Sequence, residues 1–190
     1  MTTTTVPKVY SKQQRSEAHR RLQYFEQHRE AVVETIRQLV GIESPSDNKA
    51  AVDRVSVAIA EKFAALGGRA HFHRASEVGN HLQVEFDGES EQKPVLLLGH
   101  YDTVYPLGTL ATMPCRISSG RLWGPGVLDM KSGIAFMLHT IEALQAWLGR
   151  LPRPVTVLLV SDEESKLIDI IVEIGIIFQK KLKKHSVVFY

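Results

Sequence analysis

Cysteine is nearly absent. Cys115 is the only one in 190 residues, so no internal disulfide can form and the chain suits a reducing compartment. No apolar run reaches the roughly 18 residues of a membrane span, and the opening M-T-T-T-T-V-P-K lacks the apolar centre of a signal peptide. Surplus charge is lacking too: 23 Lys and Arg against 21 Asp and Glu leave a formal net charge of +2. That balance argues for neither nucleic acid nor an anionic membrane as the main partner. Two nucleotide signatures are also missing. Gly124, Pro125 and Gly126 open like a dinucleotide loop, but its third glycine is absent and Asp129 stands nearby, a poor neighbour for a pyrophosphate. No phosphate loop ending in Gly-Lys-Ser/Thr occurs. These absences lead us to expect a soluble, cytoplasmic protein.

What is present centres on Pro94–Asp102, P-V-L-L-L-G-H-Y-D. Val95 to Leu98 are apolar without alternation, the pattern of a strand buried on both faces of a parallel sheet. His100 and Asp102 then fall at its carboxyl end, where open α/β sheets bind ligands. Residues two apart on an extended chain point the same way, so this pair can share a site, with the carboxylate holding one imidazole nitrogen as behind a metal-ligating histidine. The plain alternative is a strand followed by a polar turn.

Met1 to Lys12 is polar and expected to be disordered. Gln13 to Val40 carries a helical apolar face, as one helix or two. Ser44, Pro45 and Ser46 break it, Asp47 or Asn48 can cap a second helix from about Ala50 to Leu66, and Gly67 and Gly68 stop that one. Ala70–His73 and Leu82–Phe86 read as strands whose His71, His73 and His81 take alternating surface positions. A loop and two short extended pieces, around Arg116–Ile117 and Arg121–Trp123, follow the central strand. The turn-rich G-P-G-V-L-D-M-K-S-G then leads into a crossover helix, Ile134–Leu148, and a second apolar strand, Val155–Val160, that ends in Ser161, Asp162, Glu163 and Glu164. Strand, helix and strand with acids at the strand ends form a parallel βαβ unit with its polar groups on one rim. One histidine and several carboxylates suit hard or borderline divalent ions, and a carboxylate between two ions can bridge them. Neighbouring Glu163 and Glu164 should point to different sides, one to metal and one to substrate.

G-H-Y-D-T-V, G-P-G-V-L-D-M-K-S-G and S-D-E-E, in that order, resemble the three signatures of the co-catalytic zinc metallopeptidases that include glutamate carboxypeptidase, acetylornithine deacetylase, succinyl-diaminopimelate desuccinylase and aminoacylase. The resemblance covers about residues 30–165 and is strongest to glutamate carboxypeptidase-like members. It implies an α/β, three-layer sandwich with a mostly parallel central sheet. It implies that His100 ligates one zinc, Asp102 orients His100, Asp129 bridges both ions, Glu163 is the general base and Glu164 ligates the second zinc. A cis peptide between Asp129 and Met130 is implied as well. The cofactor would be two Zn2+, with Co2+ or Mn2+ as alternatives, and the substrate a small peptide or N-acyl amino acid.

The chain departs from the family pattern after Ser165, where relatives continue E-E-x-G-S and this sequence has Lys166 and Leu167. Lys166–Tyr190 holds six isoleucines and five lysines without arginine or alanine, a change that reads as a junction with an unrelated tail. The later acidic and histidine ligands of the family have no counterparts, which would leave each ion one ligand short. The lid domain would be missing, and with it the family-type dimer. The expected organisation is therefore a disordered 1–12, an incomplete catalytic domain at 13–165 and the tail at 166–190. The expected function is an amide hydrolase, truncated and impaired, against a catalytically dead fragment or an interaction protein on the same scaffold.

Overall fold

The computed structural model describes residues 11–165. Expectations for residues 1–10 and for the tail from 166 onward lie outside the described residues. Ser11 and Lys12 correct the expected disorder at their positions. Ser11 caps α1 (Lys12–Gln27): its Oγ accepts from Gln14 N at 3.2 Å while Gln14 Oε1 accepts from Ser11 N at 2.9 Å. The long helical pattern divides at His28, which leaves α2 as Arg29–Val40. Asn48, of the two candidates, caps α3 (Lys49–Ala65) by accepting from Ala51 N.

Strands β1 (Arg69–His73), β2 (His81–Phe86) and β3 (Val95–His100) follow, then a short α4 (Thr109–Thr112) within the expected loop, and a small hairpin of β4 (Arg116–Ser118) and β5 (Arg121–Trp123). Helix α5 (Ser132–Leu148) then crosses over to β6 (Val155–Val160). The four-stranded sheet has the order β1-β2-β6-β3. As expected for a βαβ unit, β3 and β6 are parallel, with His100 opposite Val160, so both strands end at the same rim.

Among the described residues the sheet is mixed, with β3–β6 as its parallel pair. β1 pairs antiparallel with β2, and β2 antiparallel with β6. A connection as short as 74–80 can only return the chain as a hairpin, because a parallel crossover needs a dozen or more residues. β6, not β3, is the buried interior strand. Among the described residues β3 lies at the edge of the sheet, and Val95, Leu97 and Leu98 are only half-buried. His81 is likewise buried rather than a surface residue, because every position of β2 except Glu85 is covered. Its Nδ1 accepts from Ser161 N at 3.2 Å.

One face of the sheet holds the core. Leu82, Val84 and Phe86 of β2 sit opposite Leu159, Val157 and Val155 of β6, and this face packs on Val52, Val55, Ile59 and Phe63 of α3 and on Ile134, Leu138 and Ile141 of α5. The described residues thus give a sheet and one helical layer. Thr35 Oγ1 and His139 Nε2, 3.0 Å apart, tie α2 to α5. No helix among the described residues is long and apolar enough to cross a membrane.

Candidate metal centre

The rim where β3 and β6 end collects all five of the expected site residues. His100 closes β3 and is buried. Asp129 comes from the turn Val127–Lys131 before α5, and Glu163 and Glu164 from the turn after β6. One ligand atom each of His100, Asp129 and Glu164 lie within 4.8 Å of one another. His100 Nε2 is 2.9 Å from Asp129 Oδ1 and 3.9 Å from Glu163 Oε2. Glu163 and Glu164 therefore share one site. Strand alternation does not separate them, because β6 has ended at Val160 and they stand in a turn.

Asp102 sits behind the histidine with no exposed surface. Its Oδ1 is 3.3 Å from His100 Nδ1, an ion-pair distance, although the ring angle leaves Nδ1 short of a well-formed hydrogen bond. Oδ1 also accepts from Glu163 N at 3.2 Å, and Oδ2 accepts from Glu164 N at 3.1 Å and from Ser46 Oγ at 2.6 Å. Burial alone would raise this carboxyl's pKa. His100, Ser46 and the Glu164 amide outweigh burial and hold it below the ordinary carboxylate range. The same contest runs in reverse at His100. Burial favours the neutral ring, yet Asp102, Asp129 and Glu163 push its pKa up to about 9. Glu164 is raised by burial and by repulsion from Asp129 and Glu163. Such crowding of negative charge favours a cation among these oxygens.

The Asp129 turn owes its place to contacts that sequence reading misses. The peptide Asp129–Met130 is cis, as the resemblance implies; the contacts around it are what the sequence hides. Met130 Sδ accepts from His100 N at 3.4 Å, and a Cβ on Gly99 would stand 2.7 Å from Met130 Cε, so glycine is what lets this side chain pass beneath the end of β3. Gly126 has φ +69, and a Cβ there would meet Thr103 Cγ2 at 2.6 Å. Lys131 is 1% exposed, and its Nζ donates to the Ile42 carbonyl at 2.7 Å, pinning the turn to the end of α2. Burial lowers the Lys131 pKa to about 8. Glycine in an apolar strand end is a sequence signal of close backbone approach. The methionine that makes the approach carries no such signal.

The donors are one imidazole and two carboxylates, with a third carboxylate within reach. This set fits a divalent ion of the zinc, cobalt or manganese kind.

Residues 96–184 match the model of Peptidase family M20/M25/M40. Among curated proteins, carboxypeptidase G2 from Pseudomonas sp. is 32% identical over 136 residues, covering 70% of this chain and 32% of its own length. Acetylornithine deacetylase from Edwardsiella ictaluri is 28% identical over 138 residues, covering 69% of this chain and 36% of its own length. The chain thus spans about a third of the length of these relatives. In fold it is similar to human carnosine dipeptidase 1 (TM-score 0.71, 18% identity, 89% of this chain and 40% of that one). It is also similar to an M20 family metallo-carboxypeptidase from Sulfolobus solfataricus (TM-score 0.66, 22% identity, 83% of this chain and 36% of that one).

Proposed function

Because the chain belongs to peptidase family M20/M25/M40, we propose that His100, Asp129 and Glu164 hold a divalent metal ion, zinc foremost, for hydrolysis of an amide bond with Glu163 as general base. The observation that carries this reading is the convergence of three donors from three separate chain segments within 4.8 Å. A metal held there supplies Lewis acidity, polarising a carbonyl oxygen and acidifying water. Glu163 stands at the margin of the donors and is 35% exposed, so its carboxylate can reach both water and substrate. It takes a proton from water as the oxygen attacks the amide carbonyl, and returns it to the departing amine. Asp102 keeps the His100 ring facing the donors, and Asp129, with its side chain 70% exposed, lies open to the mouth of the site.

Three protein donors are what an open catalytic zinc site uses, and His100, Asp129 and Glu164 match that number for one ion. A two-ion centre bridged by Asp129 needs further donors. The names carboxypeptidase and deacetylase among the relatives support a small peptide or an N-acyl amino acid as substrate.

The test uses the full chain, its zinc content after dialysis, and hydrolysis of an acyl-glutamate and an acetyl-amino acid. Glu163→Gln should keep its metal and lose about a hundred- to ten-thousand-fold in rate. Equal rates in variant and parent would remove the base assignment, and a parent without bound metal would remove the centre.

A further inference from the structure

The S-P-S turn after α2 does more than stop a helix. It runs beside Tyr101–Thr103 as a short parallel pairing. Thr103 N donates to the Ser44 carbonyl at 2.8 Å, Ser46 N donates to the Thr103 carbonyl at 3.2 Å, and Pro45 bridges to Thr103. Buried Ser44 adds a bond from its Oγ to the Tyr101 carbonyl at 2.7 Å. This pairing seats Ser46 Oγ 2.6 Å from Asp102 Oδ2, a separation in the range of short, charge-assisted O–H···O⁻ bonds.

Asp102 is thereby held from three sides: the Ser46 hydroxyl, the His100 ring, and the amides of Glu163 and Glu164. Rotation of a carboxylate about its last bond is soft, so donors in its plane decide where its oxygens stand. The two amides come from a turn that Asp102 itself helps to place. They cannot serve as an independent anchor. The Ser46 hydroxyl comes from a segment tied by its own backbone bonds to Thr103, just past the end of β3, and it can.

We propose that Ser46 is a positioning residue: its hydroxyl fixes the Asp102 carboxylate, and through it both the His100 ring and the Glu163–Glu164 turn. The part of this inference that concerns metal affinity rests on the reading of the centre given above. The competing account is that Ser46 only pins its own turn, since Oγ also lies 3.3 Å from the Thr103 carbonyl. The two accounts differ at the far end of the carboxylate, where a local pin has no effect.

The experiment compares the full chain with Ser46→Ala and with Ser46→Thr, which restores a hydroxyl. In the metal-free proteins, amide hydrogen exchange at Glu163 and Glu164 is read by NMR. It should quicken roughly ten-fold or more in Ser46→Ala and return toward the parent rate in Ser46→Thr. With cobalt(II) as probe, affinity measured against a competing chelator should fall roughly ten- to a hundred-fold in Ser46→Ala, the range for losing a partner behind a metal ligand. The visible spectrum should shift in Ser46→Ala and recover in Ser46→Thr. Unchanged exchange at both amides overturns the proposal whatever the metal result. A parent that binds no cobalt defeats the metal reading alone, and the exchange arm still decides whether Ser46 holds the turn.

Discussion

Individual side chains at this rim act over long stretches of sequence because they satisfy backbone groups as well as one another. Asp102 holds the amides of Glu163 and Glu164, Lys131 holds the carbonyl of Ile42, and Glu43 accepts from Gly108 N and Leu110 N, both at 2.8 Å. The two amide bonds keep the Glu43 carboxyl below its ordinary value of 4.5. A depressed carboxylate adds stability above its unfolded pKa and loses it as pH falls through the folded one. On acid titration, the Gly108 and Leu110 amide shifts should therefore move together with a midpoint below 4.5. In Glu43→Gln that transition should vanish, and NMR titration of the two amides checks both statements.

The elements carry the rest of the stability. Phe63 of α3 is fully buried and meets Phe86 of β2 edge to face, with ring centroids 6.1 Å apart. Phe63→Ala should cost about 3 to 5 kcal/mol, read as a lower midpoint of chemical denaturation with the slope unchanged. The elements are also where the sequence speaks most clearly. β6 and α5 are legible because an unbroken apolar run and a helical period each reflect the element's own burial. The order β1-β2-β6-β3 is not legible, because which strand lies beside which depends on the hairpin and the crossover together. For the same reason β3 and β6 read alike, although one is an edge and the other is interior. His100 and Glu164 stand where apolar runs stop and Asp129 in a glycine-rich turn, but which acids join the histidine as ligands is legible only through the resemblance of their motifs. Ser46 and Met130 cannot be picked out, since a serine beside proline reads as a breaker and a methionine after an aspartate as filler. Their roles exist only once β3 and the turns are in contact.

At the scale of the whole molecule, the site is assembled from four places: the S-P-S turn, the end of β3, the turn before α5 and the turn after β6. None of them holds a complete donor set, so the centre exists only when the sheet and its crossover helix are both in place. Lys131 reports on that condition directly. Its ammonium is sealed between the Asp129 turn and the end of α2, out of reach of any reagent in solution. Under brief treatment with an amine-acylating reagent, an exposed lysine such as Lys12 should be modified at once, and Lys131 only in molecules that have come apart. Peptide mass spectrometry of the acylated chain would follow that contrast. The fraction labelled at Lys131 over time would then serve as a clock for global opening, set by a group native to the protein and needing neither a dye nor an assay of turnover.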